Sequence, residues 1–327
     1  MARGVTIAEV ARRAGVSTAT VSRALGGGAV GPETRERVLR AVRETGYRAN
    51  GAARDLRRGR ARAILVLAPN LANPFFSAII GAVAEVAAGA GLAVQVSDTR
   101  RGDARLEHLA HDGRADGVIL LDGALDPALV AGLGLPVVTA CEWVEGADLP
   151  GVAVDNAAAA ASAVAHLLAL GHRSVAHLAG PAGNVLSLAR EEGWREAAGG
   201  RAGPLWPGDF TLASGAAAAR LWLASAARPT AVACASDECA MGLISELARH
   251  GVSVPRDLSV TGFDDIEIAG RFIPALTTVR QPREALGREA ARLLVAALGG
   301  GEPPPPRRRR TLPTRLVVRA SAAPPPP

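Results

Sequence analysis

From residue 63 onward, short apolar runs alternate with longer stretches of helical periodicity, and this alternation constrains the fold more than any other feature of the chain. The runs span 63–68, 92–96, 118–121, 137–139, 175–178, 231–233 and 258–261. Helical patterns such as 75–90, 156–170 and 237–250 lie between them. Strands that are apolar on both faces, each followed by a helix, form parallel sheets covered on both sides. A break near Val154-Asp155-Asn156 separates the first four runs from the later three or more. The expectation is therefore an α/β chain with two doubly wound parallel sheets. Its 327 residues exceed one typical domain of ~100–200.

The first sixty residues have a different texture. Thr6-Ile7-Ala8-Glu9 has the form of a capping box. Ile7, Val10, Ala11 and Ala14 then fall at helical spacing on one face. Gly15 breaks that helix, and Ser17 is placed to cap a second helix running to Leu25, with Thr20, Val21 and Leu25 facing inward. Two short helices around a glycine turn form a helix-turn-helix. Pro32 suits the first turn of a third helix, carrying Val38, Leu39 and Val42 and ending near Gly46. Residues 50–62 read as a basic linker, too short to be stably helical alone. The segment 302–310 and the terminal prolines 324–327 are low-complexity and expected to be exposed and mobile.

Charge follows the same division. Residues 1–62 carry fourteen arginines against five acids, a net +9, while the rest of the chain carries 23 arginines against 26 acids, a net −3. A small basic head on a near-neutral body is an electrostatic footprint for nucleic acid, although a merely solvated basic surface gives the same count. All 37 basic residues are arginine, which excludes lysine Schiff-base chemistry and a Walker-type phosphate loop. Cys141, Cys234 and Cys239 are too few and scattered for a disulfide frame or zinc cage. No uncharged apolar stretch reaches ~18 residues, and the N-terminus has no leader-like apolar segment, so a cytoplasmic location away from the membrane is expected.

In open α/β sheets, ligands bind beyond the carboxyl ends of the strands. Those positions hold Asn70, Asn73, Phe75 and Phe76 after the first run, Asp122 after the third, and Cys141, Glu142 and Trp143 after the fourth. In the second half they hold Gly180-Pro181 with Arg190 beyond, Phe210, Ser236-Asp237, and Phe263-Asp264-Asp265. Five of the ten aromatic residues lie here. Rings beside carboxylate, amide and guanidinium groups suit a flat polyhydroxylated ligand. Each residue also has a plainer use: Asp237 and Asp264 as helix caps, the phenylalanines as core, Arg190 as a surface charge. No G-x-S-x-G or H-E-x-x-H is present. His108, His111 and Asp112 could form a metal pair but lack further ligands, so neither metal nor cofactor is expected.

Val5-Thr6-Ile7-Ala8-Glu9-Val10-Ala11 and Gly15-Val16-Ser17-Thr18-Ala19-Thr20-Val21-Ser22-Arg23-Ala24-Leu25 together resemble the DNA-binding head of the lactose/galactose repressor family. The resemblance continues through Asn73-Pro74-Phe75-Phe76, Asp116-Gly117, Gly171-His172, Ala179-Gly180-Pro181, Arg190, Ser236-Asp237, Gly262-Phe263-Asp264-Asp265, Pro274 to Val279 and Gln281-Pro282, covering nearly the whole chain in order. It implies a helix-turn-helix head over 1–49, a hinge over 50–62, and a two-lobed periplasmic-binding-protein-like core over 63–327. Lobe 1 would take about 63–155 and 284–311, and lobe 2 about 156–283 and 312–327. Thr18, Ala19 and Arg23 would then face base edges in the major groove, Arg23 being able to grip guanine bidentately. Thr6, Ser17, Thr20, Ser22 and Tyr47 would hold phosphates. Asn50–Arg57 would become helical on DNA, with Leu56 wedged into the minor groove.

A homodimer on a near-palindromic operator is implied, with a small effector in the cleft setting the lobe angle. The effector contacts carried over are Phe75, Arg190, Phe210, Asp237 and Asp264, to which the strand-end loops add Asn73, Phe76 and Glu142. Much of the family reads sugars. The stretch Leu135 to Trp143, with the second helix, is similar to the cytidine-repressor branch and keeps a nucleoside open. The chain departs from the family at Gly31 (usually serine), at Gly51 in the hinge, at Cys141 (usually an acid or amide) and in a shortened 197–207 that bears on Trp206 and Phe210. Two other readings are a binding protein of the periplasmic type and an α/β enzyme. The first predicts a leader and no basic head. The second needs a partner for Asp237, Asp264 or Glu142 that is not visible.

Overall fold

The computed structural model describes residues 5–47, 61–101, 113–300 and 309–326. The chain divides into two compact units, Met1–Ala61 and Arg62–Pro327. The expected hinge 50–62, apart from its last two residues, and the His108, His111 and Asp112 group lie outside the described residues.

The first unit holds α1 (Ile7–Ala14), α2 (Thr18–Leu25) and α3 (Pro32–Thr45). Gly15, at φ 64°, takes the left-handed conformation that ends α1 and turns the chain toward α2. Ser17 caps α2, its Oγ accepting from the Thr20 N–H at 3.1 Å. Thr6 stands at the N-cap of α1 but its side chain makes no capping bond, so the expected capping box does not form. The first turn is closed instead by Glu9 and Val10 N–H groups on the Thr6 carbonyl, at 3.1 and 3.3 Å. Val10, Ala11, Ala14, Val21, Ala24, Val38 and Ala41 form the core of this unit. Leu39 is 39% exposed, because Val38 and Ala41 take the inner face of α3. Arg35 ties α3 to the end of α2 and the following loop by donating to the Ala24 and Gly28 carbonyls, both at 2.8 Å.

The second unit runs, in chain order, β1 (Ala63–Ala68), α4 (Phe75–Gly89), β2 (Ala93–Asp98), β3 (Gly117–Leu120), α5 (Pro127–Gly132), β4 (Val137–Ala140) and β5 (Gly151–Val154). It continues through α6 (Asn156–Ala169), β6 (Val175–Leu178), α7 (Val185–Ala198), β7 (Ala202–Trp206), α8 (Leu212–Ala224), β8 (Ala231–Cys234), α9 (Asp237–Arg249) and β9 (Ser259–Asp264). It closes with β10 (Thr277–Arg280), α10 (Arg283–Leu298), β11 (Arg309–Leu312) and β12 (Arg315–Val317).

Two six-stranded sheets result, ordered β11-β5-β4-β3-β1-β2 and β12-β10-β9-β8-β6-β7. Among the described residues, every pairing is parallel except β10 with β12. The central strands β1, β3, β6 and β8 are buried at every residue, as helices on both faces require, whereas the edges β2 and β7 are partly open. The chain passes between the sheets after β5, after β10 and between β11 and β12, which makes two lobes joined by three strands of chain. Close helix packing inside a lobe depends on glycine. A Cβ on Gly215 would lie 2.1 Å from the Cys239 carbonyl, and one on Gly242 would lie 2.0 Å from that of Leu212, so α8 and α9 touch backbone to backbone.

Several expectations are corrected. Strands β5, β7, β10, β11 and β12 are additional to the apolar runs, and β9 extends beyond residue 261 to Asp264. The arginine end of the low-complexity segment is not loose. Arg309 begins β11, which pairs with β5 through Arg309↔Gly151. The chain just before the terminal prolines is pinned, Ser321 being 0% exposed, while Pro324 and Pro326 are exposed as expected. The Ala323 carbonyl accepts from His172 Nε2 and Ser259 Oγ, both at 2.9 Å.

Candidate functional site

The carboxyl ends of both sheets face a cavity of about 800 Å³ between the two lobes. Lobe 1 contributes Asn73, Phe75 and Phe76 from the β1–α4 connection, Asp122 after β3, and Cys141 and Glu142 after β4. Lobe 2 contributes Asn184 and Arg190 from the start of α7, Asp209 and Phe210 after β7, Ser236 after β8 and Asp264 at the end of β9. Seven of the eight expected effector residues are thus brought together: Asn73, Phe75, Phe76, Glu142, Arg190, Phe210 and Asp264.

The eighth, Asp237, does not line the cavity. It is 0% exposed, and its carboxyl accepts from Thr278 Oγ1 at 2.5 Å and the Ile266 N–H at 2.9 Å. It therefore joins α9 to the ends of β9 and β10. Burial, then the charge of Asp264, pushes its pKa well up. Two aromatics of the strand-end set are also elsewhere. Phe263 is 2% exposed beneath Arg190, and Trp143 faces a separate crevice, where Arg309 stacks on it at 4.5 Å.

Arg190 organises the lobe 2 wall. It is 3% exposed, with its guanidinium 3.8 Å from the Phe263 ring centroid and 5.5 Å from that of Phe210. Its Nε donates to Asn156 Oδ1 at 2.9 Å, Nη1 donates to the Ala235 carbonyl at 2.5 Å, and Nη1 lies 3.8 Å from Asp264 Oδ1. Burial pulls the arginine pKa down, opposed first by Asp264. Asp264 also accepts from Gln281 Nε2 at 2.8 Å, and burial raises its carboxyl against the pull of Arg190. Its φ of 118° departs from the strand, a conformation that an L-residue holds only when its surroundings impose it. Phe210, also at positive φ (64°), reaches the cavity because Gly180 leaves room: a Cβ there would lie 2.2 Å from Phe210 Cε1. The shortened 197–207 segment forms β7 and buries Trp206, and Phe210 still lines the cavity.

On the lobe 1 wall, Phe75 and Phe76 meet edge to face at 5.2 Å, partly core and partly lining. Asn73 Oδ1 accepts from the Phe75 N–H at 2.8 Å, fixing the turn into α4. Asp122 accepts from Thr99 Oγ1 and from the Ala124 N–H. Cys141 takes positive φ (70°), and Glu142 follows it into the cavity. Glu142 Oε2 accepts from the Gly123 N–H at 2.8 Å and from Asn184 Nδ2 at 3.0 Å. Burial, aided by the charge of Asp122, lifts Glu142 from the ordinary 4.5 to about 7; Gly123, Asn184 and Arg190 oppose the rise.

Residues not anticipated include Asp209, on the cavity wall, and Asn156 and Asn184, each of which sits at the start of a helix, where an asparagine reads as a cap. Asn184 does cap α7, accepting from the Leu186 and Ser187 N–H groups at 2.9 and 3.1 Å. Among the described residues, no group of three or more histidine, cysteine or acidic side chains could hold a metal ion.

In the other unit, Thr18, Ala19, Ser22 and Arg23 lie on the exposed face of α2, opposite the buried Val21 and Ala24. Ser17 and Thr6 are exposed, Thr20 is half-buried with its hydroxyl 2.9 Å from Ser17 Oγ, and Tyr47 packs half-buried on the core of this unit. Asn50 and Leu56 lie outside the described residues. No helix of the described residues is long and apolar enough to cross a membrane.

Residues 6–50 match the family described as bacterial regulatory proteins, lacI family, and residues 164–322 match a periplasmic binding protein-like domain. The chain is 38% identical over 302 residues to the HTH-type transcriptional repressor CytR of Escherichia coli K12, covering 89% of each chain. Among solved structures, it is similar to a lac repressor dimer bound to operator and an anti-inducer, with 30% identity, TM-score 0.85 and coverage of 98% of this chain and 100% of that one. It is also similar to a complex of the transcriptional regulator CelR with cellobiose, with 34% identity, TM-score 0.74 and coverage of 97% and 100%.

Proposed function

The chain belongs to the lacI family of bacterial regulatory proteins, and on that premise we propose that it is a repressor whose grip on operator DNA is set by a small polyhydroxylated effector bound between its lobes. The observation that carries this reading is the buried Arg190–Asp264 pair, set against Phe263 and Phe210 and opening into the interlobe cavity. A guanidinium and a carboxylate held this way bond the hydroxyls of a ring, and Phe75, Phe76 and Phe210 cover its apolar faces. A sugar or a nucleoside has this chemistry, and the cavity has room for either. Asn73 and Glu142 supply further polar contacts. Two acids on the cavity wall are already engaged, Asp264 by Gln281 and Glu142 by Gly123 and Asn184, which supports a reading of binding without catalysis.

The head contacts DNA through α2. Thr18, Ala19 and Arg23 read base edges, and Thr6, Ser17, Thr20, Ser22 and Tyr47 hold phosphates. Asn50 and Leu56 belong to the hinge that pairs with its copy in a homodimer on a near-palindrome, where Leu56 enters the minor groove. The test is a thermal-shift panel of sugars, nucleosides and purines. A ligand at ~100 times its Kd stabilises by ~2.7 kcal/mol, a shift of several degrees. The hit must then change the affinity of the protein for operator DNA obtained by selection. A hit that leaves DNA affinity untouched refutes effector control.

A further inference from the structure

Among the described residues, a single side-chain hydrogen bond crosses the cavity from one lobe to the other: Asn184 Nδ2 to Glu142 Oε2, at 3.0 Å. Glu142 follows β4 in the first sheet, and Asn184 precedes α7 beside the second. We propose that Asn184 is a positioning residue of the effector site: its amide clamps Glu142 Oε2 across the cleft, draws the lobes together and leaves Glu142 Oε1 for the ligand. The geometry supports each part. The Asn184 side chain is held at both ends, its Oδ1 by the first N–H groups of α7 and its Nδ2 by Glu142. Oε2 of Glu142 is committed to Gly123 and Asn184, whereas Oε1 accepts no hydrogen bond from the described residues.

The clamp couples lobe closure to a proton. In the closed form Glu142 is buried and sits at about 7. The charges bearing on it are Asp122, from the end of β3 in its own lobe, which raises it, and Arg190, from α7 in the other lobe, which lowers it. Opening the lobes returns Glu142 to water; this removes the burial that raises it, the largest influence, and outweighs the loss of Asn184 and Arg190, which hold it down, so its pKa falls back toward the ordinary 4.5. A group whose pKa is higher in the closed state favours that state at low pH and loses the advantage as pH rises through about 7. Between pH 8 and pH 5.5 the closed-to-open ratio should rise about 25-fold.

The experiment uses the full chain without DNA or effector, so its failure would leave the regulatory reading standing. Spin labels go on Ala128→Cys of α5 and Leu188→Cys of α7, both exposed, since the three native cysteines are buried. The distance distribution between them is measured at pH 5.5 and pH 8. The expected result is a short distance at pH 5.5 that gives way to a longer one at pH 8. Glu142→Gln, which mimics the protonated acid, should hold the short distance at both. Asn184→Ser, which keeps an oxygen to cap α7 but falls short of Glu142, should hold the long one at both. A distance that ignores pH in the unsubstituted protein, or an Asn184→Ser variant that tracks pH as the parent does, overturns the proposal. Glu142→Gln leaves the cap of α7 untouched, so it tests the clamp even if Asn184→Ser folds poorly.

Discussion

Replacing Arg190 by methionine, Arg190→Met, separates the contribution of the buried ion pair from that of side-chain volume. Methionine fills much of the same space but offers no donor to Asn156, the Ala235 carbonyl or Asp264, all now served by one guanidinium. Both partners of the pair are below a tenth exposed. Removing one member of such a pair costs ~3–5 kcal/mol, chiefly because the other charge stays buried without compensation. For a unit of this size that lowers Tm by roughly 6–20 °C, at about 2–4 °C per kcal/mol. The loss should also depend on pH, with a sign that can be worked out. Burial already raises Asp264 above the ordinary carboxylate value, and Arg190 is the largest influence holding it down. Without Arg190 it rises further. A carboxyl raised in the folded state destabilises that state as pH climbs, by up to ~1.4 kcal/mol per unit until it ionises. The parent stops losing stability once Asp264 has ionised; the variant goes on losing it. Scanning calorimetry at pH 5 and pH 8 should therefore find the gap in Tm widening with pH. A gap that stays constant or narrows would refute the claim that Arg190 compensates Asp264.

Two further perturbations test other parts of the molecule. Gly180→Ala puts a Cβ 2.2 Å from the Phe210 ring, so the ring must leave its place beside Arg190. Overpacking of this kind costs ~1–3 kcal/mol, and an unchanged Tm would show that the ring is not confined there. Arg23→Ala on the exposed face of α2 should cost ~1–3 kcal/mol of operator affinity and relax preference at one base pair, read by binding selection; unaltered selectivity removes Arg23 from base recognition.

Local pattern was a good guide wherever a segment's environment is uniform. The central strands were legible because burial on both faces demands an unbroken apolar run, as in Ala63–Ala68. The head was legible because Gly15, Ser17 and Gly46 act within a residue or two of where they stand. Of the missed strands, β5 and β10 are largely buried but only four residues long, whereas β7, β11 and β12 have a different character. Three of the four residues of β11, Arg309–Leu312, are polar and exposed, and they are strand only because β5, about 150 positions earlier, offers an edge. Nothing in their own composition carries that information. The same holds for the edge strand β7, whose exposed residues follow no apolar run.

Two aspartates, Asp237 just after β8 and Asp264 at the end of β9, make the distinction sharpest. Asp237 and Asp264 each stand at the carboxyl end of a strand, and sequence position ranks them equally as ligand contacts. Thr278 and the Ile266 N–H, from elements far along the chain, turn Asp237 inward as a structural tie, while a backbone at φ 118° leaves Asp264 beside Arg190 on the cavity wall. The meeting of Glu142 with Asn184 is likewise a product of two sheets facing each other. Periodicity, capping and charge act over a few residues, so the fold class, the basic helix-turn-helix head and the strand ends where a ligand would sit were readable from the residues themselves. Which of those side chains face the cavity and which face the core depends on partners that folding brings near, and so emerged with the packed lobes.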